Sequence, residues 1–288
     1  MTIGIKLKED HDFSWLNNYD DVFEVFDQQD SGNISFGVNV GNKKRFVKYA
    51  GACNLVYQGS VAQAVKNLEN AKEVYQDLAH PSLIRLYHSF QTKQGLGLEF
   101  EWVEGVNLYP HWTFDIYDRH QDPRSLYYQT RHLPFERKLS MIETMLRFLL
   151  HTEENGYTPV DFYDGSLMYD MDTGVTKIID IDFFRKGSIK NTLGQDYWGP
   201  KRIKAPEEKT RGAVIDSRTT VFTAGKIIME LLSTHESPTL KELNLNPTVE
   251  KTIQTAIKQE QKNRFLTVHD FYQSWSKKVK NECNERQQ

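Results

Sequence analysis

Apolar residues change their period near the middle of this chain. Early on they gather in short runs rich in Val, Phe and Ile: Phe23 to Phe26, then Ile34 to Lys48, separated by QQDSGN, where Gly32 and Asn33 suit a turn. Two or three antiparallel strands follow from this pattern. In VAQAVKNLENAKEVYQDLA, Val61, Ala64, Val65, Leu68, Ala71, Tyr75 and Leu78 recur at helical spacing, and His80-Pro81 closes the helix. Leu83 to Phe90 and Gly95 to Val103 read as two further strands. Beyond Glu104 and Gly105 the period is lost. An aromatic, charged segment punctuated by Pro110, Pro123 and Pro134 reads as a long packed connection with room for one helix, and the spacing of its His111, His120 and His132 is too irregular for a metal site. Leu139 to Glu153 and Thr219 to Leu232 carry helical apolar spacing. Between them, Ser166 to Tyr169, an MDTG turn and Thr176 to Ile181 form a strand pair. The tail SKKVKNECNERQQ reads as a solvated helix end that frays. The expected fold is α+β and two-lobed: a small antiparallel β-sheet lobe with one helix over residues 1–103, and a larger, mainly helical lobe over 104–288.

Composition narrows the function classes. With 288 residues, 39% hydrophobic and 26% charged, the chain has ample core and does not read as disordered. A net charge of −3 and the lack of a long Lys/Arg run argue against nucleic acid or an anionic membrane as partner. Cys53 and Cys283 are too far apart in sequence for a disulfide framework and read as free thiols in a reducing compartment. The stretch MTIGIKLKED does not read as a secretory signal and no apolar run reaches bilayer length, so the expectation is a soluble cytoplasmic protein.

The chemistry concentrates in VDFYDGSLMYD, where Asp161, Asp164 and Asp170 interrupt a mostly apolar run. Asp161 precedes the first strand of the hairpin and Asp180, in KIIDIDFF, ends the second, so pairing should bring them together. Neighbouring carboxylates repel unless a cation or a shared proton compensates. Mg²⁺, a hard ion that completes its shell with phosphates, suits such a pair. The alternative is that these acids cap turns, and Asp164 and Asp170 are expected to be structural turn or loop acids and not catalytic groups.

In this order the motifs resemble the protein kinase superfamily. RFVKYA places Lys48 like the third-strand lysine that contacts nucleotide phosphates, and Gly32 lies in the segment resembling the phosphate-covering loop. EFEWVEG resembles the hinge, with Phe100 as gatekeeper and the backbone of Glu101, Trp102 and Val103 facing adenine. DFYDGS aligns with the catalytic loop, which implies Asp161 as catalytic base and Ser166 at the metal-binding Asn. KIIDID aligns with the Asp-Phe-Gly segment, implying Asp180 as Mg²⁺ ligand. Ala205, Pro206 and Glu207 match Ala-Pro-Glu, and Arg264 the late arginine that pairs with that Glu. The resemblance thus implies ATP and Mg²⁺, with a protein Ser/Thr hydroxyl as first choice of phosphoacceptor.

Departures gather at the chemistry. Asp27 and Gln29 stand where the first two loop glycines would be, Pro159-Val160 replaces His-Arg, and Tyr163 takes the place of the catalytic-loop lysine. Ala71 occupies the position of the glutamate that would pair with Lys48, with Glu69 and Glu73 about 200° away around the helix. Asp182 replaces the last glycine and is a candidate for a second Mg²⁺ contact. Two further readings therefore stay open: a small-molecule phosphotransferase, favoured by Asp182 and Tyr163, and a pseudokinase binding module, favoured by the lost glycines.

Overall fold

The computed structural model describes residues 4–286, the side chains of 281 and 283–286 excepted. Cys53 is a free thiol; the side chain of Cys283 lies outside the described residues. The chain forms two compact units, Met1–Val103 and Glu104–Gln288.

The first unit is a five-stranded antiparallel sheet with one helix: β1 (Asp21–Phe26), β2 (Asn33–Val40), β3 (Lys43–Ala50), α1 (Val61–Asp77), β4 (Leu86–Gln91) and β5 (Leu96–Glu101), in spatial order β1-β2-β3-β5-β4. Side chains alternate across each strand. Ile34, Phe36, Val38, Val47 and Tyr49 therefore share one face, covered by Trp15 and by partly buried Phe13 and Leu16. Trp15 meets Phe36 edge-on at 5.4 Å. The opposite face takes α1, whose Ala64, Leu68, Ala71, Val74 and Tyr75 are buried and whose first turn is capped by Ser60. Tyr75 packs edge-to-face on Phe100 at 4.7 Å.

The second unit contains β6 (Val106–Asn107), α2 (Leu126–Arg131), α3 (Phe135–Glu154), β7 (Tyr157–Thr158), β8 (Leu167–Tyr169), β9 (Thr176–Ile178), β10 (Arg185–Lys186), β11 (Ile189–Lys190), β12 (Val214–Ile215), α4 (Ser217–Leu232), α5 (Pro247–Ala256) and α6 (Val268–Arg286). The core lies where α4, buried along nearly all its length, packs against α3, α5 and α6. The expected connection carries α2 and a ring cluster: Tyr109 lies 5.1 Å from Phe114 and 5.9 Å from Tyr127.

The chain's end is the helix end expected, continuing α6, but one of its side chains is not solvated: Glu282 is buried and its Oε2 accepts from the Asn246 N–H at 2.5 Å. That bond ties α6 to the start of α5. Residues 287 and 288 lie outside the described residues. Among the described residues no helix is long and apolar enough to cross a membrane.

Candidate active site

The expected hairpin is β8 with β9, in register Leu167↔Ile178, Met168↔Lys177 and Tyr169↔Thr176. An Ile179 N–H to Ser166 O bond of 2.8 Å carries the pairing on toward Asp180. At the two ends of this hairpin the backbone turns left-handed: φ is 59° at Asp161 and 57° at Asp180. Among the described residues only Asn244 joins them as a non-glycine with positive φ. Aspartate tolerates this region better than most residues, yet it still stores of order 1 kcal/mol that the surroundings must hold. Such outliers gather at functional sites.

Tyr163 follows the Asp161 turn by two residues. Burial pushes its phenol well above the ordinary tyrosine range, and the charges of Asp180, Asp161 and Asp164 add to that push, with Arg202 opposing. Asp161 and Asp180 thus act on one phenol, which stays a neutral hydroxyl.

The expected metal ligands differ in access. Asp180 is exposed, whereas Asp182 and Ser166 are buried, at 7% and 1% exposure. The Ser166 Oγ accepts from the Tyr163 N–H at 3.4 Å. Among the described residues no three His, Cys, Asp or Glu side chains gather as a metal centre. A carboxylate open to solvent has the chemistry to ligate a hard cation such as Mg²⁺.

Asp164 has the structural role expected of it, but by a contact the sequence does not announce: it is a fully buried carboxylate gripped by two arginines, Arg131 Nη2 reaching Oδ2 at 2.7 Å and Arg202 Nη2 bonding Oδ1. Arg202 also lies 3.4 Å from Glu230 and stacks 4.0 Å over the Tyr109 ring. Asp170 is the turn acid expected, its Oδ1 accepting from the N–H groups of Asp172 and Thr173 at 2.9 and 3.0 Å.

In the first unit, Lys48 is buried at 6% exposure and, by strand alternation, shares the α1 face of the sheet with Phe46 and Phe100. Ala71 is fully buried on α1, and Glu69 and Glu73 are exposed, as the helical phase requires. Gly32, expected in the phosphate-covering loop, lies against the protein's own side chains. It is buried with φ 82°, and a Cβ there would lie 2.7 Å from Tyr57 and 2.9 Å from Ala64, so its close approach is to the protein's own side chains. Asn54 holds that neighbourhood by donating to the carbonyls of Gln29 and Asn33 at 2.8 and 3.2 Å. Of the residues expected at a hinge, the Glu101 N–H is bonded to the Arg85 carbonyl at 2.9 Å, Trp102 packs edge-on to Phe23 at 4.8 Å, and Val103 is half-buried.

Glu207 and Arg264 form the ion pair the motifs call for, both buried, with Thr219 also donating to Glu207 at 2.7 Å. Sequence reasoning missed Lys204, which is 7% exposed and donates through Nζ to the Tyr197 carbonyl. Its place just ahead of Ala205 is the only signal the sequence holds. No family model matches this chain, and no curated protein matches it.

Proposed function

We propose that the chain is a divergent Mg-ATP-dependent protein kinase with the two-lobed kinase-like fold, transferring the γ-phosphoryl group to a protein Ser/Thr hydroxyl in the cytoplasm. The observation that carries this reading is the pair of left-handed aspartates, Asp161 and Asp180, set at the two ends of one hairpin and both acting on Tyr163. The Glu207–Arg264 pair supports it from the side of the fold.

In this reading the acceptor oxygen attacks the γ-phosphorus, the bond to the ADP oxygen breaks, and Asp161 takes the acceptor's proton. Lys48 would hold phosphates, and the hinge, where Trp102 and Val103 follow the committed Glu101 N–H, would receive adenine. Asp180 would hold Mg²⁺, with Ser166 and Asp182 as buried supports. Bound Mg²⁺ supplies charge neutralisation on the phosphates.

The second reading is a binding module without transfer, favoured by Gly32 lying packed under Tyr57. The test is purified protein with Mg²⁺, γ-labelled ATP and a host lysate, following label separately into proteins and small molecules, with Asp180→Ala as control. Label in proteins that vanishes with Asp180→Ala supports the kinase. Label in a metabolite moves the chain to small-molecule phosphotransfer, and no label above control favours the binding module.

A further inference from the structure

The catalytic-loop position that would carry a lysine holds Tyr163, a neutral phenol surrounded by three carboxylates, Asp161, Asp164 and Asp180. Loss of that cation leaves a concentration of negative charge where a triphosphate would have to approach. The nearby arginines do not supply the want. Arg131 and Arg202 are both spent on Asp164.

Lys204, buried, reaches Asp161 from another segment. Gly199, at φ 97°, lies directly over Asp161: a Cβ there would be 3.4 Å from Asp161 Oδ1 and 4.0 Å from Lys204 Cε. The lysine stem and the aspartate carboxylate therefore meet across one glycine. The segment that brings Lys204 there is held at several points. Arg202, two residues earlier, is tied to Asp164; the Lys204 ammonium itself donates to the Tyr197 carbonyl; and the Ala205 N–H bonds Glu208 Oε2 at 2.7 Å. Burial pulls the lysine's pKa down, and Glu208 and Asp161, the strongest acidic influences on it, act to hold it up.

We infer that Lys204 is a positioning residue for Asp161, supplying from the segment ahead of Ala205 the positive charge that the catalytic loop itself no longer carries. The inference rests on the phosphotransfer reading. It places the charge on the Asp161 side of the site, where the acceptor would enter, so its loss should act on turnover and not on nucleotide binding.

The experiment compares the parent with Lys204→Met, Lys204→Arg and, as control, Lys201→Met at a neighbouring exposed lysine. Transfer from Mg-ATP is measured as kcat and KM for ATP, and thermal unfolding is followed in parallel. The expected result is a kcat about 100-fold lower in Lys204→Met, the scale of one proton-transfer or electrostatic group. KM for ATP should stay within about twofold, and Lys204→Arg should recover at least about tenfold of the loss. Lys201→Met should match the parent. Undiminished kcat in Lys204→Met overturns the inference. So does a loss shared by kcat, ATP affinity and thermal stability that arginine fails to recover, because that is the signature of the Tyr197 bond alone. A parent that transfers no phosphoryl group overturns the phosphotransfer reading and this inference with it, an outcome distinct from an active parent indifferent to Lys204.

Discussion

Arg264 grips Glu207 with both arms of its guanidinium, Nη1 to Oε1 at 2.6 Å and Nη2 to Oε2 at 2.9 Å. The same guanidinium donates to the carbonyls of Lys258, Gln259 and Arg218 at 2.7, 3.0 and 3.1 Å and lies 4.6 Å over the Phe222 ring. One side chain therefore joins the Ala205–Glu207 motif, α4 and the loop after α5.

Arg264→Met should cost about 3–5 kcal/mol, the usual penalty for leaving one partner of a buried pair unmatched. Adding Glu207→Gln should recover only part of this, because three carbonyls still lose their donor. Urea unfolding of both variants at neutral pH checks the order; full recovery in the double variant would mean that the pair alone matters.

Asp164→Asn keeps the shape of the carboxylate but removes the countercharge of Arg131, which is 2% exposed, and of Arg202. The expected loss is again about 3–5 kcal/mol, read by chemical denaturation. A change below about 1 kcal/mol, the scale of a surface pair, would show that solvent reaches the arginines.

Glu208 gives a pH dependence. Burial pushes its carboxyl from an ordinary value of 4.5 up to about 7. A raised native pKa means that the folded chain binds the proton more tightly, so this contribution is full below pH 4.5 and is lost as pH rises through about 7. Glu208→Gln retains an oxygen for the Ala205 N–H and removes the titration. Its melting temperature minus the parent's should therefore grow between those two pH values and level off above them, and a flat difference would contradict the assignment.

The left-handed turns predict a hierarchy of substitutions. At Asp161 and Asp180, asparagine should be tolerated better than alanine by about 1 kcal/mol, since both are neutral and differ mainly in their ease of adopting positive φ. Thermal melts of Asp180→Asn against Asp180→Ala, and of the same pair at Asp161, measure it directly.

Gly32→Ala should destabilise the first unit by about 1–3 kcal/mol, combining a positive φ with an overpacked contact. Adding Tyr57→Ala should relieve the contact but not the backbone strain. Complete relief in the double variant would locate the whole cost in packing.

How much of this was legible in the sequence depends on how far apart the partners lie. The apolar spacing of α1 and of the α3 and α4 segments is a local signal, and those helices form within a few residues of where it places them. The single run Ile34 to Lys48 is two strands because Gly41, at φ 58°, turns the chain inside it. α5 went unread although Asn246-Pro247 is a good helix start, with the Asn246 side chain accepting from the Thr248 N–H at 2.9 Å. Its single-sided stripe is short, and periodicity is weakest over few turns. The ion pairs of Asp164 are illegible for a different reason: its local context is that of a turn, and the arginines that hold it come from 33 residues earlier and 38 residues later. Lys204 was missed in the same way, as nothing near it in sequence announces Asp161.

The bond from Asn246 to Glu282 makes the second unit depend on its own last helix. Every strand pairing of the first unit closes by Glu101, so its sheet needs no strand from later in the chain. The second unit has no such freedom. The helix that starts at Pro247 finds the acceptor for its preceding N–H 36 residues downstream, and α3 finds part of its covering in α6. A chain that ended before α6 would leave open to solvent the faces of α3, α4 and α5 that α6 covers.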